Sequence, residues 1–288
     1  MTLPTFIVGG APKSGTTSLH RYLDAHPDVF MCPVKEPDFF HDHWDRGVEW
    51  YASLYDGVAD ETAIGEASPG TLASAEAAER IHGLVPDMRF VFVLRDPVER
   101  AHSQHLFGVA RGISPASVRF GDLIRDEADP WRQRVVELGM YGEQIERYAR
   151  LFGRDQLHVL LFDDLKADRD RAVREILEFV GVDAGALKPA AADETHNATA
   201  YPRHEGVYRA VRAVWDPVRR RLGPGLADAL YPIRSAIRGR MFTTARDAKP
   251  ELADADREYL AGLYEDSNAR LAAWLGRDLG HWASPSRT

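Results

Sequence analysis

The chain of 288 residues holds a single cysteine, Cys32. One thiol cannot close an intramolecular disulfide, so the fold is not a disulfide scaffold, and such sparing use of cysteine suits a reducing compartment. Long apolar runs are missing too. No stretch approaches the roughly 18 residues of a membrane span. The opening MTLPTFIVGG lacks the positive flank and apolar core of a secretory signal, so a cytoplasmic protein is expected. Basic charge is in deficit: 36 Lys and Arg face 44 Asp and Glu, a formal net charge of −8. Nucleic-acid binding needs a basic footprint, so no nucleic-acid partner is expected, and a long polyanionic partner is disfavoured. His41 and His43 flank Asp42, but no third ligand follows at suitable spacing, so no metal site is expected. There is no repeat, heptad pattern or low-complexity tract.

What is present is an ordinary folding composition, 44% hydrophobic and 28% charged. It suffices for one large α/β domain, taken as residues 1–288. The Ala- and Arg-rich usage is of the kind found in GC-rich bacterial genomes. Strands are expected at 5–9, 29–32, 62–66, 89–94 and 156–162. Helices are expected after the first loop, with Leu19, Tyr22 and Leu23 on one face, and at 48–55, 74–84, 97–109, 141–152, 168–180 and 252–276. Residues 33–46 read as irregular, because Pro33 and Pro37 block a helix; 112–138 are mixed and 183–203 a loop. Strands alternating with helices imply a parallel sheet covered on both faces. The expected fold class is therefore α/β, with a P-loop-like central parallel sheet of about five strands flanked by helices. Residues 204–246 change character and read as a helical insertion or cap in the C-terminal third.

The first strand runs into Gly9-Gly10-Ala11-Pro12-Lys13-Ser14-Gly15-Thr16-Thr17-Ser18. Gly10 and Gly15 have the spacing of a phosphate-binding loop. Glycines let backbone N–H groups turn toward an anion, and the following helix adds its free N–H groups and positive end. Thr16, Thr17 and Ser18 add hydroxyls. A nucleotide-triphosphate loop would place lysine directly after Gly15, where Thr16 stands instead. Lys13 lies two residues before Gly15, which suits a shorter anion. The bland alternative is a glycine turn without a ligand.

Two motifs in this order carry a resemblance. Pro12-Lys13-Ser14-Gly15-Thr16-Thr17 and the run Arg95 to Ser103, which follows FVFVL, are similar to the 5′-phosphosulfate and 3′-phosphate motifs of the PAPS-dependent sulfotransferases. These enzymes use 3′-phosphoadenosine 5′-phosphosulfate (PAPS) as co-substrate and release 3′-phosphoadenosine 5′-phosphate (PAP). Lys35-Glu36-Pro37-Asp38-Phe39-Phe40 resembles a segment of bacterial members and of the heparan sulfate branch, with Asp38 where histidine is frequent. In that branch a lysine often follows the Gly-Glu of the third strand, whereas Gly65-Glu66 is followed by Ala67. The resemblance covers roughly residues 5–203 and 252–282.

The resemblance implies sulfuryl transfer from PAPS to a hydroxyl or amine of a small-molecule, sugar or lipid acceptor, with no metal required. Pro12, Lys13, Ser14, Gly15, Thr16, Thr17 and Ser18 would cradle the phosphosulfate. Arg95, Ser103 and Arg203 would hold the 3′-phosphate side, where arginine's planar fork suits a phosphate. Lys13 would stabilise the leaving oxygen. Glu36 would serve as general base, in an apolar setting supplied by Phe39, Phe40 and Trp44 that raises its pKa. His102 is the competing base, and with His105 it reads alternatively as packing or pocket lining.

A P-loop small-molecule kinase using ATP is the alternative function, with Asp96 as its metal-binding carboxylate; the other reading of Asp96 is an N-cap ahead of Pro97. Residues 203–240 carry nine arginines against three acids, with apolar residues interleaved. They read as a peripheral membrane or acceptor cap, or as a solvated helical subdomain. Nothing in the sequence specifies the acceptor or the oligomeric state.

Overall fold

The structure, a computed structural model, describes residues 1–111, 113–114, 117–187, 201–202, 242–243 and 250–283. The most apolar run of the chain forms β4 (Arg89–Leu94), buried at every position but the first. A run of that kind fits a sheet covered on both faces. Strand β4 pairs with β1 (Phe6–Gly10) and with β5 (Leu157–Leu161). On the other side of β1 lies β3 (Ala63–Ala67), and beyond it β2 (Val29–Met31). All five strands are parallel, in the order β2-β3-β1-β4-β5.

Alternation along each strand builds two cores. Ile7, Phe90, Phe92 and Leu94 pack with Ile81 of α4 (Ala75–Leu84) and with Tyr148 and Phe152 of α8 (Tyr141–Phe152). Phe6, Val8, Val91 and Val93 face the opposite way. They meet Leu19 and Leu23 of α1 (Thr16–Asp24) and Ile176 and Leu177 of α10 (Arg169–Val180). A third cluster joins α5 (Pro97–Arg111), α6 (Phe120–Arg125) and α7 (Pro130–Val136) to Leu260 and Tyr264 of α11 (Asp254–Leu275).

Two stretches differ from the sequence expectation, and a third lies almost wholly outside the described residues. Within 33–46, α2 (Phe39–Asp42) and a 3-10 turn at Trp44–Arg46 form, because Pro37 lies ahead of the first helical residue, where it blocks no hydrogen bond. The chain then enters α3 (Gly47–Ser53). Strand β5 stops at Leu161, and Phe162 opens α9 (Phe162–Ala167) instead of ending the strand. Of the expected insertion 204–246, only 242–243 are described. They form β7 (Phe242–Thr243), antiparallel to β6 (Tyr201–Pro202). Arg203 and the remainder of 203–240 lie outside the described residues. Among the described residues no helix is long and apolar enough to cross a membrane.

Strand β3 approaches β1 closely at one point. Gly65 is the register partner of Phe6, and a Cβ added there would sit 2.1 Å from the Phe6 ring. Gly65→Ala is expected to destabilise the protein by about 1–3 kcal/mol through overpacking. A denaturant midpoint unchanged from wild type would contradict this packing.

Candidate functional site

The exits of β1, β3 and β4 share one edge of the sheet, and most residues singled out by the sequence lie on them. Gly15 has φ 87°, a left-handed conformation open to glycine, and it caps α1. The amides of Ser18 and Leu19 bond back to its carbonyl at 3.0 and 3.1 Å, so the helix begins directly at the loop. Ala11 donates to the Val93 carbonyl at 2.8 Å, tying the loop to the end of β4. Ser14 is fully buried, and its hydroxyl has no hydrogen-bond partner among the described residues. Thr16 is buried, whereas Pro12, Thr17 and Ser18 are partly exposed. Lys13 makes no ion pair among the described residues; its ammonium lies 4.1 Å from the centre of the Phe107 ring. Burial first, then the charges of Arg95 and Arg111, lower its pKa to about 8, with Glu36 opposing them.

Arg95 leaves β4 and donates to the Lys13 carbonyl at 3.4 Å and to Glu99 Oε2 at 3.5 Å, both long bonds. Glu99 also receives Arg257 of α11 at 2.5 Å. Ser103 lies about two turns into α5, partly buried. Asp96 Oδ1 accepts the amides of Val98 at 2.8 Å and Glu99 at 3.3 Å, so this carboxylate is the cap of α5. Burial pushes its pKa up to about 6. His102 is buried with its ring 5.1 Å from that of Phe120, and His105 packs on the same ring at 5.4 Å.

Glu36 follows β2. Its amide donates to the Ala67 carbonyl at 3.2 Å, and its carboxylate pairs with the Lys35 ammonium. Among the described residues no apolar enclosure surrounds it, and its side chain is 49% exposed. Phe39 and Phe40 serve the core instead: Phe39 stacks on Tyr51 at 4.2 Å and 9°, and Trp44 lies over the pair. Lys13, Glu36 and Asp38 have φ of 70°, 58° and 51°, and they are the only non-glycine residues with positive φ among the described residues. Such conformations cost about 1–3 kcal/mol each and concentrate at functional sites.

The possible metal ligands differ from the His41–His43 pair. Asp38, His41 and Asp42 bring one ligand atom each within 4.8 Å of one another, because positions i, i+3 and i+4 share one helix face. His43 instead packs against Trp50. Burial raises the Asp38 pKa, and His41 at 3.4 Å opposes that shift.

Sequence reasoning missed Phe107 and Arg111 beside Lys13, and it missed the buried carboxylate of Glu66. For Glu66 the available signal was Tyr51 and Tyr55, four residues apart, two hydroxyls that need an acceptor once buried.

The family model described as a sulfotransferase domain matches residues 3–200. A membrane-associated sulfotransferase of Dictyostelium discoideum is 36% identical over 159 residues, 53% of this chain and 32% of that protein. The heparan sulfate glucosamine 3-O-sulfotransferase 6 of Mus musculus is 29% identical over 182 residues, 62% of this chain and 52% of that one. The chain thus spans about half or less of the length of these relatives. A crystal structure of a sulfotransferase from Alicyclobacillus acidocaldarius superposes with a TM-score of 0.68 at 27% identity, covering 99% of this chain and 100% of that one.

The surroundings of Lys13 generate a pH prediction. An amine lowered to about 8 from an ordinary 10.5 loses its proton at lower pH than a surface lysine, and only the neutral amine is nucleophilic. Acylation of Lys13, followed by peptide mass spectrometry, is expected to rise through a midpoint near pH 8 instead of the ordinary lysine value of 10.5. A midpoint at the ordinary value would contradict the cation-flanked setting.

Proposed function

The chain belongs to the sulfotransferase domain family, and from that premise we propose that it transfers a sulfuryl group from PAPS to an acceptor hydroxyl or amine, releasing PAP. The observation that carries this reading is a gathering of like charge. Lys13, Arg95 and Arg111 crowd one loop of an acidic chain, and Lys13 has no carboxylate partner among the described residues. A lysine whose pKa is lowered by neighbouring cations calls for an anion. The buried, unpartnered hydroxyl of Ser14 adds a donor in the same loop. These residues fit the phosphosulfate end of the nucleotide, and Arg95 with Ser103 and Arg203 is assigned to its 3′-phosphate.

When bound, the nucleotide supplies the activated sulfuryl group. Lys13 holds its proton at Nζ to neutralise charge on the leaving phosphate oxygen. Glu36 takes the acceptor's proton, and its half-exposed position keeps it within reach of an incoming hydroxyl or amine. Lys13 and Arg95 provide the positive charge that a kinase draws from magnesium, so transfer needs no metal. The kinase reading is disfavoured because Thr16 stands in place of its lysine and Asp96 is engaged as a helix cap.

The acceptor is assigned to the class of small molecules, sugars or lipids. The names of the relatives point to a glucosamine unit, and the net charge of −8 favours a short acceptor over a long polyanion. Residues 203–240 are assigned as acceptor cap or membrane contact on their arginine content alone. A single buried cysteine suits a cytoplasmic protein, and the composition suits a bacterial one.

Release of PAP from PAPS, measured with a phenol, a glucosamine oligosaccharide and a glycolipid as acceptors, tests the reading. Turnover is expected to survive EDTA. Calorimetry should show PAP binding much tighter than ADP, and Arg95→Ala should weaken it by about 1.5–3 kcal/mol. Glu36→Gln is expected to leave PAP binding intact and cut turnover by about 10²–10⁴-fold. Equal affinity for ADP, or activity abolished by EDTA and restored by magnesium, would return the protein to the kinase class.

A further inference from the structure

Glu66 is fully buried at the end of β3, yet among the described residues no cation pairs with it. Three hydroxyls serve it instead. Tyr51 and Tyr55 each donate to Oε2 at 2.6 Å, and Ser68 donates to Oε1 at 2.8 Å. Burial raises its pKa, and these three hydrogen bonds oppose the rise. A carboxylate so placed is costly, and an apolar side chain of similar size would serve the core as well. Its presence calls for a reason beyond packing.

The contacts of its partners supply one. A serine hydroxyl has one proton and two lone pairs. With that proton committed to Glu66, Ser68 Oγ presents a lone pair, and it accepts the Asp38 amide at 3.3 Å. One residue earlier, the Ala67 carbonyl accepts the Glu36 amide at 3.2 Å. The two left-handed residues of the turn are therefore both tied to the exit of β3. The next residue, Phe39, stacks on Tyr51, whose hydroxyl returns to Glu66. The circuit runs from Glu66 through Ser68, Asp38, Phe39 and Tyr51 back to Glu66.

We propose that Glu66 and Ser68 are positioning residues for Glu36, holding the turn that carries it in its left-handed conformation. The proposal rests on the reading of Glu36 as general base. Neither residue touches the acceptor; each acts through the backbone of 36–38. A hydroxyl–carboxylate bond is charge-assisted and stronger than a neutral one, which suits a group that must oppose backbone strain.

The test combines an activity cycle with a readout independent of activity. Ser68→Ala is expected to lower kcat for PAP release about tenfold, the effect of one lost hydrogen bond, with the Kd for PAP within about twofold of wild type. In a Glu36→Gln background the same change should cost nothing further, because the group it positions is gone. Ser68→Thr, which keeps the hydroxyl, should recover most of the rate. Hydrogen exchange at the Asp38 amide should quicken in Ser68→Ala and stay slow in Ser68→Thr.

Independent, multiplying losses in the double variant, or unchanged exchange at Asp38, would overturn the proposal. If Ser68→Ala does not fold, Tyr55→Phe removes one donor from Glu66 and must show the same non-additivity with Glu36→Gln, or the proposal falls. Full turnover in Glu36→Gln alone would remove the base assignment and the proposal with it. Quickened exchange in that case would leave the structural tie standing, so the two failures are told apart.

Discussion

In a parallel sheet every strand leaves by the same edge, and the site depends on that constraint. Because β1 lies between β3 and β4, three exits that are far apart in sequence become neighbours. The loop at Gly10–Gly15, the segment Glu66–Ser68 and the start of α5 at Arg95 meet there. Two backbone bonds extend the sheet past its regular end: Ala11 to Val93 on one side of β1, and Ser68 to Val8 on the other. Had β1 lain at the edge of the sheet, the Gly10–Gly15 loop could have touched only one of these partners. Ligands of open α/β sheets bind at such carboxyl ends for the same reason.

This geometry lets a chain of net negative charge gather cations around one loop. The formal charge of −8 belongs to the whole chain, while Arg95, at the exit of β4, and Arg111, at the end of α5, both act on Lys13. Their mutual repulsion is visible in Lys13, whose proton is held more weakly than usual because burial and two neighbouring cations act in the same direction. The long contacts of Arg95 belong with this picture. A guanidinium held by hydrogen bonds of 3.4 and 3.5 Å is only lightly committed and can turn its fork to a phosphate at little cost.

Legibility in the sequence followed range of interaction. The β4 run, the Gly10–Gly15 spacing and the two possible roles of Asp96 were readable because each depends on residues within one turn or one strand. The parallel sheet needed only the alternation of strands with helices, whereas its order β2-β3-β1-β4-β5 depends on pairings between strands far apart in sequence. Arg111 was not readable as a neighbour of Lys13, because 98 positions separate them and only the folding of α5 back over the loop joins them. The surroundings of Glu36 were misjudged for a related reason. Phe39 and Phe40 are adjacent in sequence, but α2 begins immediately after the left-handed turn and carries both rings into the core against Tyr51. Proximity along the chain was taken for proximity in space. Glu66 read as one more residue of a short strand, since the tyrosines that serve it come from a different element.

The two halves of the site are held by different means, and that difference bears on how its chemistry is divided. On one side, Ser14 and Lys13 sit between a buried strand and the first turn of α1, where the sheet itself sets the backbone. On the other side, Glu36 stands in an exposed turn with unfavourable dihedrals at two of three residues, opposed by hydrogen bonds that the Glu36 and Asp38 amides donate to the exit of β3. The first arrangement is rigid because displacing it would break the sheet. The second is rigid only while its ties last, and residues 33–35 and 41–46 around it are largely exposed. Changes in that rim leave β1 and β4 untouched, so under the proposed function acceptor choice can vary while the Gly10–Gly15 loop stays fixed.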